Sequence, residues 1–261
     1  MTSDRNEIMK QVRAVATPVF LCYAGKAAAG LDEDNPKIFG VYIDPPETVF
    51  GIEQPANEVI KIPQINARLI SLRTFIRNIV YARDTLCLMS LFTDIEDVIF
   101  INQDFLEIKK NFFNITNRNS IAYALWQRLV YLKYTVSSSA PDADLSVRKN
   151  LFVLFLRHYF AIIDLADGND VTLRLNASQK TLAEDVLKTN DYVAGTKSGA
   201  GAELTQKGKD LVFDCMKQTE TAIAKLKEQT GRDITANYTT ETNKLANELC
   251  MNTLMKAYGC V

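Results

Sequence analysis

Histidine is nearly absent from this chain of 261 residues, which contains one, His158. The five cysteines are scattered and form no Cys-x-x-Cys pair: Cys22, Cys87, Cys215, Cys250 and Cys260. Structural zinc sites need Cys and His ligands at short, regular spacings, and no such pattern is present. An odd number of scattered cysteines is typical of reduced thiols, so we expect a cytoplasmic protein.

Long apolar runs are also missing. No stretch reaches the ~18 residues that a membrane-spanning helix needs, so we expect no membrane segment. The apolar run 14–23 follows Lys10 and Arg13 and has some features of a signal peptide. Asp4 opposes the basic start of such a peptide and Pro18 interrupts the run, which favours a short helix followed by a core strand.

A strong charge of either sign is absent as well. Lys and Arg total 30 against 31 Asp and Glu, giving a net charge of −1. This balance does not identify a nucleic-acid-binding protein, although a local basic face remains compatible with it. Hydrophobic residues make up 47% of the chain, which is ordinary for a globular protein with a substantial core.

The hydrophobic periodicity predicts an α/β (α+β) fold, with a mixed sheet and helices in residues 1–115 and a helical region in residues 116–261. The predicted strands are 18–24, 38–43, 59–62 and 97–101. The predicted helices are 3–14, 66–82, 84–92, 104–113, 120–134, 145–166, 181–188, 204–228 and 240–258. Three glycines in 191–202 indicate a flexible loop, and Gly168 marks a helix end.

Two short segments near the first strands are the most informative. The first is Gly25-Lys26-Ala27-Ala28-Ala29-Gly30, and the second is Phe39-Gly40-Val41-Tyr42-Ile43-Asp44-Pro45-Pro46. The first segment is not a P-loop, because its lysine follows the first glycine and an alanine replaces the Ser or Thr that meets Mg²⁺.

The order of the segments resembles the predicted nucleotidyltransferases of the DNA polymerase β superfamily found in bacteria and large phages. The resemblance rests on 40–46, on Val49-Phe50-Gly51-Ile52 and on Ile70-Ser71-Leu72-Arg73-Thr74-Phe75, and covers about residues 18–225. It implies a nucleotidyltransferase-like mixed sheet followed by helices. It also implies a bacterial or phage source, of which we favour a phage.

The residues that carry the family's chemistry differ here. The reaction needs carboxylates on adjacent strands to hold two divalent metals, and a Gly-Ser turn to meet the phosphates. The family's paired Asp positions fall at Asn35 and Lys37, its third acidic position falls near Asn66, its loop serine falls at Lys26, and a later Glu falls at Met89. An amide is a poor Mg²⁺ ligand and a lysine repels the metal, so the resemblance implies a fold that has lost its reaction and needs no cofactor.

A degenerate cleft can still bind nucleic acid, and this is our leading hypothesis, with RNA favoured over DNA. The candidate contacts are basic residues of the first half: Lys26, Arg68, Arg73, Arg77, Lys109 and Lys110. We expect binding that weakens steeply with salt.

Residues 101–160 support this hypothesis by composition, because they hold eight basic residues against four acidic ones. Aromatic residues are interleaved with them: Phe112, Phe113, Tyr123, Trp126, Tyr131 and Tyr134. Cations and stacking rings together suit single-stranded RNA or DNA. The plainer interpretation is that these rings, at helical spacing, form core, that the basic residues form solvated helix faces, and that His158 packs in the core.

Two alternatives stay open. An active nucleotidyltransferase could use Asp32 and Asp34 as shifted Mg²⁺ ligands, although this acidic run also reads as a solvated turn. A structural protein could instead form a homo-oligomer through the C-terminal helices, in which case truncation near Gly201 should change its oligomeric state.

Overall fold

The computed structural model describes residues 4–50, 59–138, 144–196, 201–230 and 240–260. The chain forms two compact units, one of Met1–Asn117 with Asn237–Val261 and the other of Arg118–Ala236. The sequence prediction placed everything after residue 115 in one helical region. The C-terminal helix instead belongs to the first unit.

The elements largely follow the predicted order. In chain order they are α1 (Arg5–Arg13), β1 (Thr17–Ala24), β2 (Lys37–Ile43), α2 (Pro46–Phe50), β3 (Val59–Ile62), β4 (Ala67–Ser71), α3 (Leu72–Val80), α4 (Thr85–Ser90), β5 (Val98–Ile101), α5 (Gln103–Ile115), α6 (Arg118–Ser137), α7 (Leu145–Asp167), α8 (Ala177–Lys188), β6 (Val193–Gly195), β7 (Ala202–Leu204), α9 (Gln206–Thr230) and α10 (Thr240–Ala257). Across the described part of the chain, no helix is both long enough and apolar enough to cross a membrane.

The first unit is built on a mixed sheet whose strand order, among the described residues, is β3-β4-β2-β1-β5. Strand β1 pairs antiparallel with β2 and β5, β2 pairs parallel with β4, and β3 pairs antiparallel with β4. The starts of β2 and β4 therefore lie side by side, and both are close to the end of β1. The fold is a mixed α+β architecture, as the sequence predicted.

Both faces of this sheet are covered. Ile8 and Val12 of α1 are fully buried in one core cluster with Leu21, Ile38 and Leu69. On the other face, aromatic rings of α3 and α5 pack on the strands. The ring centroids of Phe20 and Phe105 are 4.6 Å apart and stacked, those of Phe75 and Phe105 are 5.2 Å apart, and those of Phe39 and Phe75 are 6.3 Å apart.

The prediction of one helix over 66–82 is wrong at its start, because residues 67–71 form strand β4. Leu69 and Leu72 continue the helical spacing of Ile76 and Ile79 by coincidence. The true helix start is marked by Ser71, whose hydroxyl accepts a hydrogen bond from the Thr74 backbone N–H at 3.2 Å. This is an ordinary N-cap.

Helix α10 completes the first unit by packing on α3 and α5. Lys256 Nζ lies 2.7 Å from the Asp104 carboxylate of α5. The Tyr258 hydroxyl, just after the helix, donates a hydrogen bond to the Asp44 carbonyl oxygen. The C-terminal helix is therefore part of this unit's own packing.

The second unit is helical, with α7 packed against α6, α8 and α9. Phe152, Phe155 and Leu156 of α7 are fully buried, and the helix ends at Gly168 with φ +76°. The predicted loop 191–202 contains strand β6, which pairs antiparallel with β7. Residues 197–200, between these strands, lie outside the described part of the chain, as do Gly51 and Ile52 of the family resemblance.

We predict that Gly40→Ala destabilises the protein by about 1–3 kcal/mol, because the sheet has no room for a side chain there. A Cβ at Gly40 would lie 2.4 Å from Leu21 Cδ2 and 2.6 Å from Leu69 Cδ2. Gly195→Ala is the control, since its Cβ would meet no atom of a described residue nearer than 3.9 Å, and we expect a change within about 0.5 kcal/mol. Urea denaturation measures both, and equal effects of the two substitutions would contradict the packing argument.

We also predict that the protein loses about 2 kcal/mol of stability between pH 7 and pH 5 through His158. Burial lowers the pKa of this histidine from 6.5 to about 4, and its Nδ1 lies 2.8 Å from the Leu154 carbonyl oxygen. Between these pH values the unfolded chain binds a proton that the folded chain does not, so stability is full above about pH 6.5 and falls towards pH 4.

The measurement is urea denaturation at pH 7 and pH 5 for the wild type and His158→Gln. The substitution should remove most of the difference between the two pH values. Because the chain has one histidine, NMR titration of its imidazole gives the folded pKa directly. A value near 6.5 would refute the prediction.

Candidate functional site

The turn after β1 has a compact backbone that bonds to its own chain. Gly25 and Gly30 have φ of +66° and +71°, and a 3-10 turn, Ala27–Ala29, lies between them. The Ala27 N–H donates to the Glu33 carboxylate at 3.3 Å. A phosphate or other anion binding at this turn would compete with the Glu33 carboxylate for the Ala27 N–H. Lys26, in the same turn, is half-buried.

The three positions that the resemblance aligns with metal ligands come together beside this turn. Asn66 Nδ2 donates to the Asn35 carbonyl oxygen at 3.1 Å, and the Ile38 N–H donates to the Asn66 carbonyl oxygen at 3.1 Å. A Cβ at Gly25 would lie 3.5 Å from Cδ of Lys37. The backbones of these three positions are therefore close together, and their side chains are two amides and one ammonium group.

These residues do not fit a divalent metal. Magnesium prefers carboxylate and other anionic oxygens, whereas the Asn66 amide nitrogen is already used as a donor and Lys37 is cationic. Asp32 and Asp34 are both exposed in the segment before β2. In the parts of the chain that the structure describes, no group of three or more His, Cys, Asp or Glu side chains is arranged to hold a metal ion.

Ion pairs engage several of the predicted nucleic-acid contacts. Arg68 of β4 lies 3.7 Å from the Asp84 carboxylate, and Arg73 of α3 lies 3.7 Å from the buried Asp44 carboxylate. Lys110 Nζ of α5 lies 2.9 Å from Glu107. A phosphate at any of these cations would have to displace or share a carboxylate.

The remaining predicted contacts differ in their exposure. Lys109 turns inward, donates to the Thr93 carbonyl oxygen at 2.7 Å, and has its pKa lowered by burial. Arg77, one turn beyond Arg73 on α3, is exposed. Arg73→Glu would also leave Asp44 without its cation, so Arg77→Glu alone is the cleaner test of this surface.

A different surface lies on α6 of the second unit and uses two of the aromatic residues that the composition of 101–160 indicated. Tyr131 and Tyr134 are 57% and 68% exposed. Leu129, just before them in the chain, and Leu132, between them, are fully buried. The Arg128 guanidinium carbon lies 4.8 Å from the centroid of the Tyr131 ring, a cation–π contact. We call Arg128, Tyr131 and Tyr134 the α6 platform.

The cation of the α6 platform, Arg128, forms no ion pair with any described residue. Lys133, five residues later on the helix, lies on a different side of it. The sequence did contain a signal for this face. Gln127, Tyr131, Tyr134 and Ser138 recur at spacings of four and three and are all exposed.

No family model and no curated protein matches this chain. Among solved structures, it is similar to a nucleotidyltransferase-like protein from Exiguobacterium sibiricum 255-15, at 12% sequence identity and a TM-score of 0.29. The alignment covers 97% of this chain and 89% of that chain. A likeness this distant carries no argument about the site or its chemistry.

We predict that the protein catalyses no Mg²⁺-dependent nucleotide transfer, because the aligned ligand positions hold Asn35, Lys37 and Asn66. The measurement is incorporation of labelled nucleotide from each of the four NTPs into RNA and into protein, with Mg²⁺ or Mn²⁺. Transfer that Asp32→Ala/Asp34→Ala abolishes would overturn this prediction and establish the shifted-ligand enzyme.

Proposed function

We propose that this chain is a single-stranded nucleic-acid-binding protein, with RNA favoured, and that it binds through the α6 platform. The observation that carries the proposal is the pair of exposed tyrosine rings, Tyr131 and Tyr134, with Arg128 stacked on the first. Residues three apart on a helix are surface neighbours, so the two rings form one contact area.

Stacking supplies the first part of the interaction. Exposed aromatic rings receive bases face to face, and each stacked base contributes about 1–3 kcal/mol. The Arg128 guanidinium is also planar and stacks on bases as well as on rings. Two tyrosines and one arginine along a helix therefore suit a short run of unpaired bases.

Charge supplies the second part. Arg128 can meet a phosphate without breaking an ion pair to a described residue. One phosphate contact to a single strand gives a salt slope of about −0.7 in log K against log salt. This is gentler than the steep dependence expected from the basic residues of the first half.

The preference for RNA rests on the platform's hydroxyl groups and on the family resemblance. Tyrosine hydroxyls at the ring edges can hydrogen bond a ribose 2′-OH, which DNA lacks. Members of the resembled superfamily often act on RNA ends. In this proposal the protein is a phage-encoded pseudo-nucleotidyltransferase that acts in the cytoplasm of a bacterial host, with Asn35, Lys37 and Asn66 in place of the metal ligands.

We predict that Tyr131→Ala/Tyr134→Ala weakens RNA binding about tenfold or more, because two stacking surfaces are lost. The measurement is fluorescence anisotropy with a labelled RNA of about 20 nucleotides and its DNA counterpart, at about 50 and 300 mM salt. The control is Phe213→Ala, which removes a ring that is also 68% exposed but lies on α9. We expect the control to bind like the wild type.

Two further variants locate the charge contribution. Arg128→Gln should weaken binding and reduce the salt slope by about 0.7, the share of one phosphate contact on a single strand. If Arg77→Glu weakens binding instead, while the tyrosine variants bind normally, the surface lies on the first unit. If the protein binds neither RNA nor DNA, the proposal is wrong for the α6 platform and for the first unit alike.

A further inference from the structure

A cleft of about 710 Å³ lies within the first unit, where β2 ends. Its walls come from the end of α1, from the end of β2 and the start of α2, and from the end of α10. All of these segments belong to the first unit. Clefts of about 300–1,000 Å³ are the size that small-molecule ligands occupy.

The part of the lining that solvent reaches is mostly apolar. Pro45, Pro46 and Ala257 are exposed, and Val15 is 53% exposed. Ile60, which is half-buried, adds further aliphatic carbon. These side chains contain only carbon and hydrogen, so they remove an aliphatic chain from water but offer a polar ligand no hydrogen bond.

The polar groups at the end of β2 are not open to a ligand. Asp44 is 2% exposed, and its carboxylate lies 3.7 Å from Arg73. The Tyr258 hydroxyl donates a hydrogen bond to the Asp44 carbonyl oxygen. A ligand in the cleft is therefore not selected by hydrogen bonds to these groups.

Among the described residues that line the cleft, Arg13 is the charged side chain that solvent reaches. It is the last residue of α1, is exposed, and forms no ion pair or hydrogen bond with a described residue. Its guanidinium carbon lies 5.9 Å from the centroid of the Phe100 ring. A guanidinium group in this position can pair with a carboxylate through two parallel hydrogen bonds.

We propose that this cleft binds a small aliphatic carboxylate, such as a medium-chain fatty acid. The carboxylate pairs with Arg13, and the aliphatic chain packs on the apolar wall. A neutral alcohol of the same length lacks the first interaction, and a short carboxylate lacks most of the second. The cleft belongs to the first unit and the α6 platform to the second, so either proposal can fail alone.

The test is isothermal titration calorimetry of the full-length protein with decanoate at neutral pH. Decanol is the uncharged control, and butyrate is the control that keeps the charge. We expect decanoate to bind about two- to fivefold more tightly than decanol, which is the contribution of an exposed ion pair. Butyrate should bind about tenfold or more weakly than decanoate, because most of the apolar surface that leaves water is gone.

Two substitutions separate the carboxylate from the chain. Arg13→Gln should reduce the affinity for decanoate to that for decanol and leave decanol unchanged. Arg77→Gln, at an exposed arginine of α3 outside the lining, is the matched control and should change neither. Ala257→Trp should weaken both ligands, because the indole ring fills part of the cleft. Arg13 and Ala257 are exposed, so both variants are expected to fold, which circular dichroism checks.

Each outcome decides the proposal. Decanoate binding that Ala257→Trp weakens, and that Arg13→Gln reduces to the level of decanol, establishes the site. Absence of decanoate binding, or binding that Ala257→Trp leaves unchanged, overturns it. Equal binding of decanoate and decanol by the wild type overturns the pairing with Arg13, and with it the assignment of a carboxylate ligand.

Discussion

The close packing of β2 between β1 and β4 is the constraint on which the first unit depends. At Gly40, the Leu21 and Leu69 side chains occupy the space that any side chain would fill. The seven residues of β2 span about 23 Å and separate two different environments. Lys37 begins the strand beside Asn35 and Asn66, and Asp44 follows its end, 3.7 Å from Arg73. The same strand therefore positions the Asn35, Lys37 and Asn66 group at one end and the Asp44–Arg73 pair at the other.

Hydrophobic periodicity predicted most elements of this fold but failed at β4. A strand with neighbours on both sides and helices on both faces has no polar face, so Leu69 and Ile70 are both buried and the alternation of a half-buried strand is lost. The apolar residues of β4 therefore also fit the helical spacing of α3 when that spacing is extended towards the N-terminus. Ser71, an N-cap residue, was the local signal that separates the two elements. The hairpin of β6 and β7 was missed because each strand has three residues and three glycines lie in 191–202, a composition typical of a loop.

The α6 platform shows why sequence composition could not identify the exposed rings. Helix α6 packs on both α7 and α9, so apolar side chains surround most of its circumference. Tyr123 and Trp126 are half-buried with their ring centroids 5.5 Å apart, whereas Tyr131 and Tyr134 are exposed one to two turns later. The exposure of an aromatic residue on α6 therefore depends on where the neighbouring helices pack, which the sequence does not show.

Counting basic residues overestimated the surface that a phosphate can reach. The pairs Arg68–Asp84, Arg73–Asp44 and Lys256–Asp104 join residues that are distant in the chain, so their neutralisation is invisible before the fold is known. On the platform, Arg128 escapes this pairing, but one cation releases few counterions. If the α6 platform binds nucleic acid, its affinity must then come mainly from stacking on Tyr131 and Tyr134. Stacking tolerates any base, which favours recognition of unpaired strands over recognition of a sequence.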